Sequence, residues 1–135
     1  MSAKTLTASC LCKKVKIEVP DEFVFMGNCH CSECRKFTGS DYSSAGGVKF
    51  EDFNIVAGEE FVTTYQKTDV TELGFCKCCG SSLFSKKLAR GIYVLRLGTL
   101  DDVPSNKPSF HIFTESKAPW NEICDNLKQF PEGPQ

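Results

Sequence analysis

The sequence predicts a mainly β fold with few and short helices, and three observations support this. Charged and apolar residues alternate with a period of two over residues 14–19, as in a strand with one buried face. Further segments are rich in β-branched and aromatic residues and are separated by Gly, Asp and Pro, which favour turns. Helical patterns are confined to two short stretches.

The strand candidates follow one another along the chain. They are residues 14–19, 23–26, 47–50, 53–56, 61–65 and 92–97. The last segment is the most strongly apolar, and its β-branched start directly after Gly91 predicts a central position in a sheet.

Two stretches predict helices. Residues 32–37 are expected to form a short helix that is capped by Ser32 and ends near Gly39. Residues 120–127 space their apolar residues as one helix face does, which predicts that Trp120 anchors this helix to the sheet and that Cys124 is buried.

Length and charge limit the classes of function. A chain of 135 residues fits one domain over residues 1–135, with its core at about residues 8–130. The formal net charge of −1 comes from mixed acidic and basic residues, so we expect neither nucleic acid nor a membrane surface as a partner. No apolar run approaches the roughly 20 residues of a membrane span, and the N-terminus lacks a secretory pattern. A cytoplasmic location, possible also in the nucleus, is predicted.

The chain contains nine cysteines. Disulfides are rare in a reducing compartment, and an odd number of cysteines excludes complete pairing. Metal binding or thiol chemistry is therefore the leading explanation for them.

Seven of the nine cysteines fall into three tight groups: Cys10 and Cys12; Cys29, Cys31 and Cys34; Cys76 and Cys79. Seven thiols divide naturally into four and three. A structural zinc site uses four protein ligands, whereas a catalytic site keeps three and leaves one position open. The number and grouping of the cysteines therefore favour two Zn²⁺ sites, one structural and one catalytic.

Cys76-x-x-Cys79 followed by Gly80 is typical of a zinc knuckle. The two thiolates lie on a tight turn, and a residue without a Cβ atom after the second one adopts the left-handed conformation that the turn needs.

Two partner pairs for this knuckle are open. The pair Cys10 and Cys12 would leave the central three cysteines together, whereas the pair Cys31 and Cys34 would make a ribbon-like site. Local geometry favours the first division, because Cys29, Cys31 and Cys34 lie within six residues and converge if a strand end runs into a helical turn. Two purely structural zinc sites, or one zinc ion with buried thiols, are the alternative.

His30 lies between two of the cysteines. In an extended segment its side chain points away from both neighbours, so we expect it to carry a proton or support the site rather than bind the metal. Cys78 is expected to fill space or to replace Cys79 as a ligand.

The spaced motifs together resemble the glutathione-dependent formaldehyde-activating enzyme family, also called the CENP-V/GFA domain. The matching motifs are Cys10-x-Cys12, Cys29-His30-Cys31-x-x-Cys34-Arg35-Lys36 with Gly39, Phe75-Cys76-x-x-Cys79-Gly80-x-x-Leu83, His111-Ile112 and Ala118-Pro119-Trp120. The resemblance runs from about Cys10 to Phe130. One departure is that Lys13 and Lys14 follow Cys12 where the family usually has glycine.

The resemblance implies an Mss4-like fold of short antiparallel sheets with short helices, stabilised by two zinc ions. It implies that the structural site is made by Cys10, Cys12, Cys76 and Cys79, and the catalytic site by Cys29, Cys31 and Cys34. The family reaction joins glutathione to formaldehyde and is classed, in the reverse direction, as a carbon–sulfur lyase. The expected activity is therefore that of a zinc-dependent lyase that joins glutathione or a similar small thiol to formaldehyde or a small aldehyde.

Three thiolates suit this chemistry. They donate much electron density, so a zinc ion lowers the pKa of bound water less than it does at a site of three histidines. The ligand best suited to the open position is therefore the thiolate of a substrate. His30 or solvent is expected to supply the proton, which makes His30 a catalytic candidate beside the three cysteines. Cations would meet the carboxylates of glutathione: Arg35 and Lys36 are the first candidates, and Arg90 and Arg96 complete the pool. A non-catalytic zinc domain that binds a partner is the alternative function.

Overall fold

A computed structural model describes residues 4–133 of the chain. Within this range there are eleven strands and one α-helix. In chain order they are β1 (Thr5–Ser9), β2 (Lys16–Pro20), β3 (Met26–Cys29), α1 (Ser32–Thr38), β4 (Ser43–Lys49), β5 (Asn54–Ala57), β6 (Val62–Thr68), β7 (Thr71–Cys76), β8 (Ser82–Lys87), β9 (Ile92–Arg96), β10 (Phe110–Ile112) and β11 (Lys128–Gln129). The predicted mainly β fold with short helices is confirmed.

The strands form two sheets. The smaller sheet has the order β1-β2-β5, and the larger has the order β11-β10-β3-β4-β9-β8-β7-β6. Strand β9 pairs with β4 and β8 in the interior of the larger sheet, which confirms the central position predicted for residues 92–97. Most pairs are antiparallel, but β10 runs parallel to β3 and to β11.

Apolar side chains from both sheets share one core. Leu6 and Ile17 from the smaller sheet are fully buried together with Val48, Leu83 and Leu95 from the larger one. Burial of a side chain of this size contributes about 1.5–3 kcal/mol relative to exposure. Hydrophobic packing therefore holds the two sheets together, in addition to any stabilisation by the cysteines.

The helix α1 begins one residue earlier than its pattern suggested. Its N-cap is Cys31 and not Ser32: the Cys31 sulfur accepts a hydrogen bond from the Cys34 backbone N–H at 3.3 Å. The helix ends at Gly39 as predicted, in a left-handed conformation with φ of 67°. The cap places a cysteine sulfur at the N-terminus of α1.

The strand prediction for residues 23–26 is wrong for most of its length, because β3 begins only at Met26. The segment runs beside β4 and exchanges two hydrogen bonds of 2.9 Å with Gly47, made by Val24 N–H and by the Phe25 carbonyl. The Phe25 ring fills the space where a side chain at Gly47 would lie. These aromatic residues pack over the glycines of β4 and do not add a strand to the sheet.

The helix predicted over residues 120–127 is also wrong, because this stretch is an irregular loop. The Asp125 carboxylate accepts a hydrogen bond from the Leu127 N–H at 3.0 Å, a local turn that competes with helix formation. Cys124 is exposed, and Trp120 is 71% exposed and donates its Nε1–H to Asp41. Within residues 4–133, no helix has the length and apolar character needed to cross a membrane.

Candidate metal centres

Four cysteines meet where the two sheets approach each other. Cys10 directly follows β1, Cys12 lies in the next turn, Cys76 ends β7, and Cys79 lies in the turn before β8. Their sulfur atoms all lie within 4.8 Å of one another. The separations are 3.6 Å for Cys10–Cys12 and 3.9 Å for Cys12–Cys76. This group, the four-cysteine group, joins the smaller sheet to the larger one.

Two left-handed residues shape its turns. Gly80 has φ of 79° and its N–H donates to the Cys76 carbonyl at 2.7 Å, as the knuckle pattern predicts. Lys13 has φ of 70°, a conformation that costs a non-glycine residue about 1–2 kcal/mol. The departure from glycine at this position therefore leaves the turn intact but strained.

The four-cysteine group fits a zinc ion. A tetrahedron of thiolates at about 2.3 Å from zinc has sulfur–sulfur edges of about 3.8 Å, close to the separations found here. The Leu11 N–H donates to the Ser81 hydroxyl, which leaves the Ser81 proton free to donate to the Cys79 sulfur at 3.2 Å. This hydrogen bond is the largest of several that lower the pKa of Cys79 to about 5, which favours the thiolate that a metal needs.

A second group, the three-cysteine group, lies where β3 leads into α1. Cys29 ends β3, Cys31 caps the helix, and Cys34 lies in its first turn. All three are half-buried, and their sulfur atoms also lie within 4.8 Å of one another. Among the residues that the structure describes, no fourth His, Cys, Asp or Glu ligand atom joins them.

The three sulfurs compete for protons. Hydrogen bonds from Cys29 and Cys34 lower the pKa of the Cys31 thiol, and the Cys34 backbone N–H adds to the effect. The hydrogen bond to Cys31 raises the pKa of Cys29 in turn. One thiolate that accepts hydrogen bonds from two thiols is a set of ligands suited to a soft divalent cation such as Zn²⁺. Binding of the ion would displace the protons of the two remaining thiols.

Three cations from the larger sheet act on these thiols: Lys67 of β6, Lys87 of β8 and Arg96 of β9. Burial lowers the pKa of Lys87 and of Arg96, and the charge of Cys34 opposes this change in both. Lys67 also forms a 2.8 Å ion pair with Glu33 of α1. Sequence reasoning missed both lysines, because nothing in the sequence around them distinguishes them from ordinary surface residues of a strand.

The two cations predicted first, Arg35 and Lys36, both lie on α1. Lys36 is exposed on α1, and Arg35 is half-buried there. Neither lines the cavity beside Arg96 or the cavity between Tyr42 and Asp125. Their role in binding a substrate stays a prediction.

His30 is fully buried, and neither cysteine group includes one of its ring nitrogens as a ligand atom, in line with the expectation that it does not bind the metal. Its Nε2 atom lies 2.8 Å from Nδ1 of His111, whose own Nε2 lies 3.0 Å from the Asp125 carboxylate. A carboxylate only accepts, so neutral His111 donates from Nε2 and accepts at Nδ1, and His30 donates from Nε2. His30 Nδ1 is then left with a lone pair, and this atom has no partner among the described residues. Burial and the neighbouring His111 lower the pKa of His30.

The two other cysteines belong to neither group. Cys78 is exposed, with Lys14 Nζ at 3.8 Å from its sulfur, and Cys79 is the knuckle residue that joins the four-cysteine group. Cys124 is exposed in the loop that replaces the predicted helix, so the expectation that it is buried is wrong.

Comparison with known proteins agrees with this arrangement. The model of the family described as "Glutathione-dependent formaldehyde-activating enzyme" matches residues 5–116. The chain is also similar to the crystal structure of a Rhodobacter sphaeroides protein from a structural genomics programme. The two are 26% identical with a TM-score of 0.62, over 76% of this chain and 97% of that one. No curated protein matches the chain significantly. With its mainly β, Mss4-like fold and its two cysteine clusters, the chain belongs to the glutathione-dependent formaldehyde-activating enzyme (GFA) family.

Proposed function

We propose that the chain is a zinc-dependent carbon–sulfur lyase that joins glutathione or a similar small thiol to formaldehyde or a small aldehyde. In the joining direction the sulfur forms a bond to the carbonyl carbon, the carbon–oxygen π bond breaks, and the proton of the thiol ends on the hydroxyl oxygen. The family membership supports the reaction class, and the geometry of the three-cysteine group supports its location.

The carrying observation is that Cys29, Cys31 and Cys34 converge without a fourth side-chain ligand among the described residues. A zinc ion held by three thiolates supplies an open position that suits a soft sulfur ligand and favours its deprotonated form at neutral pH. The three cysteines hold this centre on a strand end and a helix cap, and Lys67, Lys87 and Arg96 make its surroundings positive. The surroundings therefore favour an anionic thiolate substrate.

His30 is proposed to handle the proton. The hydrogen-bonded series from Asp125 through His111 fixes its tautomer, so Nδ1 is the ring atom with a free lone pair. In the proposal this nitrogen receives the proton of the thiol and returns it to the hydroxyl oxygen, and solvent is the competing carrier.

The activity is tested with the purified zinc-loaded protein. Exchange between free glutathione and its formaldehyde adduct is followed by NMR, with the protein-free rate subtracted. We expect the protein to accelerate the exchange and the Cys31→Ser variant to lose the acceleration. The matched control is Cys124→Ser, which changes an exposed cysteine outside both groups.

An exchange rate equal to the protein-free rate, at two zinc ions per chain, would refute the proposal. In that case the alternative of a non-catalytic zinc domain that binds a partner would take its place. The role of His30 is tested separately with His30→Gln: a rate like that of the unmodified protein would assign the proton transfer to solvent.

A further inference from the structure

We infer that Arg96, with the buried hydroxyl groups of Ser43 and Ser82, forms an anion site that takes a carboxylate of the substrate. This inference rests on the proposed function, because it specifies the substrate class as a small thiol that carries a carboxylate. The site lies beside the three-cysteine group and does not include its sulfur atoms.

Arg96 is a buried cation without an acidic partner. It ends β9 and is only 7% exposed, and no carboxylate among residues 4–133 forms an ion pair with it. One terminal nitrogen donates to the Ser85 hydroxyl at 2.6 Å, and the Phe37 ring lies 5.2 Å from the guanidinium carbon. Its buried Nε–H has no partner among the described residues. Burying a charge without an acidic side-chain partner is costly, so the neighbouring thiols and a bound anion are the counter-charges that this arginine calls for.

Arg96 lines a cavity of about 390 Å³. Most of the other lining residues carry hydroxyl groups, supplied by the end of α1, the start of β4 and the turn that leads into β8. Two of these hydroxyls, Ser43 Oγ and Ser82 Oγ, are buried and have no hydrogen-bond partner in the described part of the chain. The three residues that carry these unsatisfied donors, Arg96, Ser43 and Ser82, therefore line one cavity.

A carboxylate satisfies this set of groups. Its two oxygens accept up to four hydrogen bonds, and the planar guanidinium is the side chain best suited to bind it. A single negative charge also balances the one buried positive charge. Phosphate shares this chemistry and serves as a probe.

The position of Arg96 relates this site to the thiol chemistry. Its charge acts on all three thiols of the three-cysteine group, and the residue also lines the cavity. A small molecule with a thiol and a carboxylate would therefore reach both places at once. A thiol without a carboxylate would reach only one of them.

The test uses ligands that separate the two functions. S-methylglutathione keeps both carboxylates but has no thiol, so its binding does not depend on adduct formation. Its affinity for the zinc-loaded protein is measured by titration calorimetry, together with competition by inorganic phosphate. N-acetylcysteine and cysteamine, thiols with and without a carboxylate, are then compared as adduct-forming substrates.

We expect Arg96→Gln to weaken S-methylglutathione binding about tenfold or more, because it removes a charge-assisted hydrogen bond. Arg96→Lys keeps the charge but loses the fork geometry of the guanidinium, so its affinity for S-methylglutathione should lie between those of the unmodified protein and Arg96→Gln. Ser82→Ala should weaken binding several-fold without changing the charge. The control Lys16→Gln removes one positive charge from the exposed face of β2 and should bind as the unmodified protein does.

Three results would overturn the inference. The first is no binding of S-methylglutathione or phosphate to the unmodified protein. The second is equal binding by Arg96→Gln at full zinc content. The third is that Arg96→Gln loses one zinc ion but binds S-methylglutathione with unchanged affinity. Arg96 would then only balance the charge of the metal centre and would not bind the substrate. If S-methylglutathione binds through Arg96 but no adduct forms, the anion site stands and only the proposed reaction fails.

Discussion

The two cysteine groups should differ in how much of the fold they support, and a matched pair of substitutions measures the difference. Cys12→Ser removes an exposed member of the four-cysteine group without opening a cavity in the core. Cys31→Ser removes a member of the three-cysteine group and keeps the helix cap, because serine is a preferred N-cap residue. Each variant therefore loses one metal ligand and little else.

The magnitude follows from the length of chain that each group closes. Cys12 and Cys76 are separated by 64 positions, and Cys31 and Cys34 by 3. If a metal restricts the unfolded chain as a covalent cross-link does, the longer closure contributes about 4 kcal/mol and the shorter one about 2 kcal/mol. A domain is stable by about 5–15 kcal/mol in total, so the loss in Cys12→Ser is a large fraction of the whole.

Zinc content by elemental analysis and thermal unfolding by circular dichroism provide the assay. We expect each variant to retain one zinc ion of two, with a decrease in Tm at least twice as large for Cys12→Ser as for Cys31→Ser. Cys124→Ser, which alters neither group, should keep both ions and its Tm. Equal decreases in Tm for the two ligand variants, or a larger one for Cys31→Ser, would refute the argument from chain closure.

Three further predictions follow from the turns, the buried histidines and the thiols. Lys13→Gly should raise the free energy of unfolding in urea by about 1 kcal/mol, because the residue has φ of 70°, whereas Lys13→Ala should not raise it. His111→Phe should cost about 1–3 kcal/mol, because it leaves the buried His30 Nε2 without an acceptor, and the exposed Asp125→Ala should cost less. Acidification from pH 7 should release zinc as protons compete for the thiolates, and the three-cysteine group should release it first, as followed with a chromogenic chelator. An increase in stability for Lys13→Ala, an unchanged His111→Phe variant, or release of both ions in one step would contradict the respective reasoning.

The elements that the sequence predicted well are those whose pattern reflects burial. Residues 92–97 combine an apolar run with a β-branched start, and they form an interior strand of the larger sheet. Residues 23–26 have a similar composition, but their aromatic side chains cover glycines of β4 instead of extending a ladder. Residues 120–127 have a helical spacing, yet the side chain of Asp125 bonds to the backbone locally and to His111. Composition alone does not reveal such tertiary contacts.

The division of the cysteines was predictable for a different reason. Ligand spacing and the turn at Gly80 are local properties, so the residues themselves favoured the four-and-three division but left open the pairing of Cys76 and Cys79 with Cys31 and Cys34. The two lysines around the three-cysteine group were not, because Lys67 and Lys87 come from separate strands that the sheet order brings to the same group as Arg96, which the sequence had offered only as one of four candidate cations. Their spacing in sequence carries no signal of that proximity.

The contrast between the two groups bears on why only one of them suits catalysis. The four-cysteine group joins residues from both sheets, so a change in its coordination would disturb the packing of Leu6 and Leu83 between them. The three-cysteine group lies within one strand end and one helical turn, its three cysteines are half-buried, and the charges of Lys67 and Lys87 act on it. A centre that exchanges a ligand in each turnover has to do so without loosening the core. The local group meets this condition and the bridging group does not, which is an independent physical reason to place the proposed chemistry at Cys29, Cys31 and Cys34.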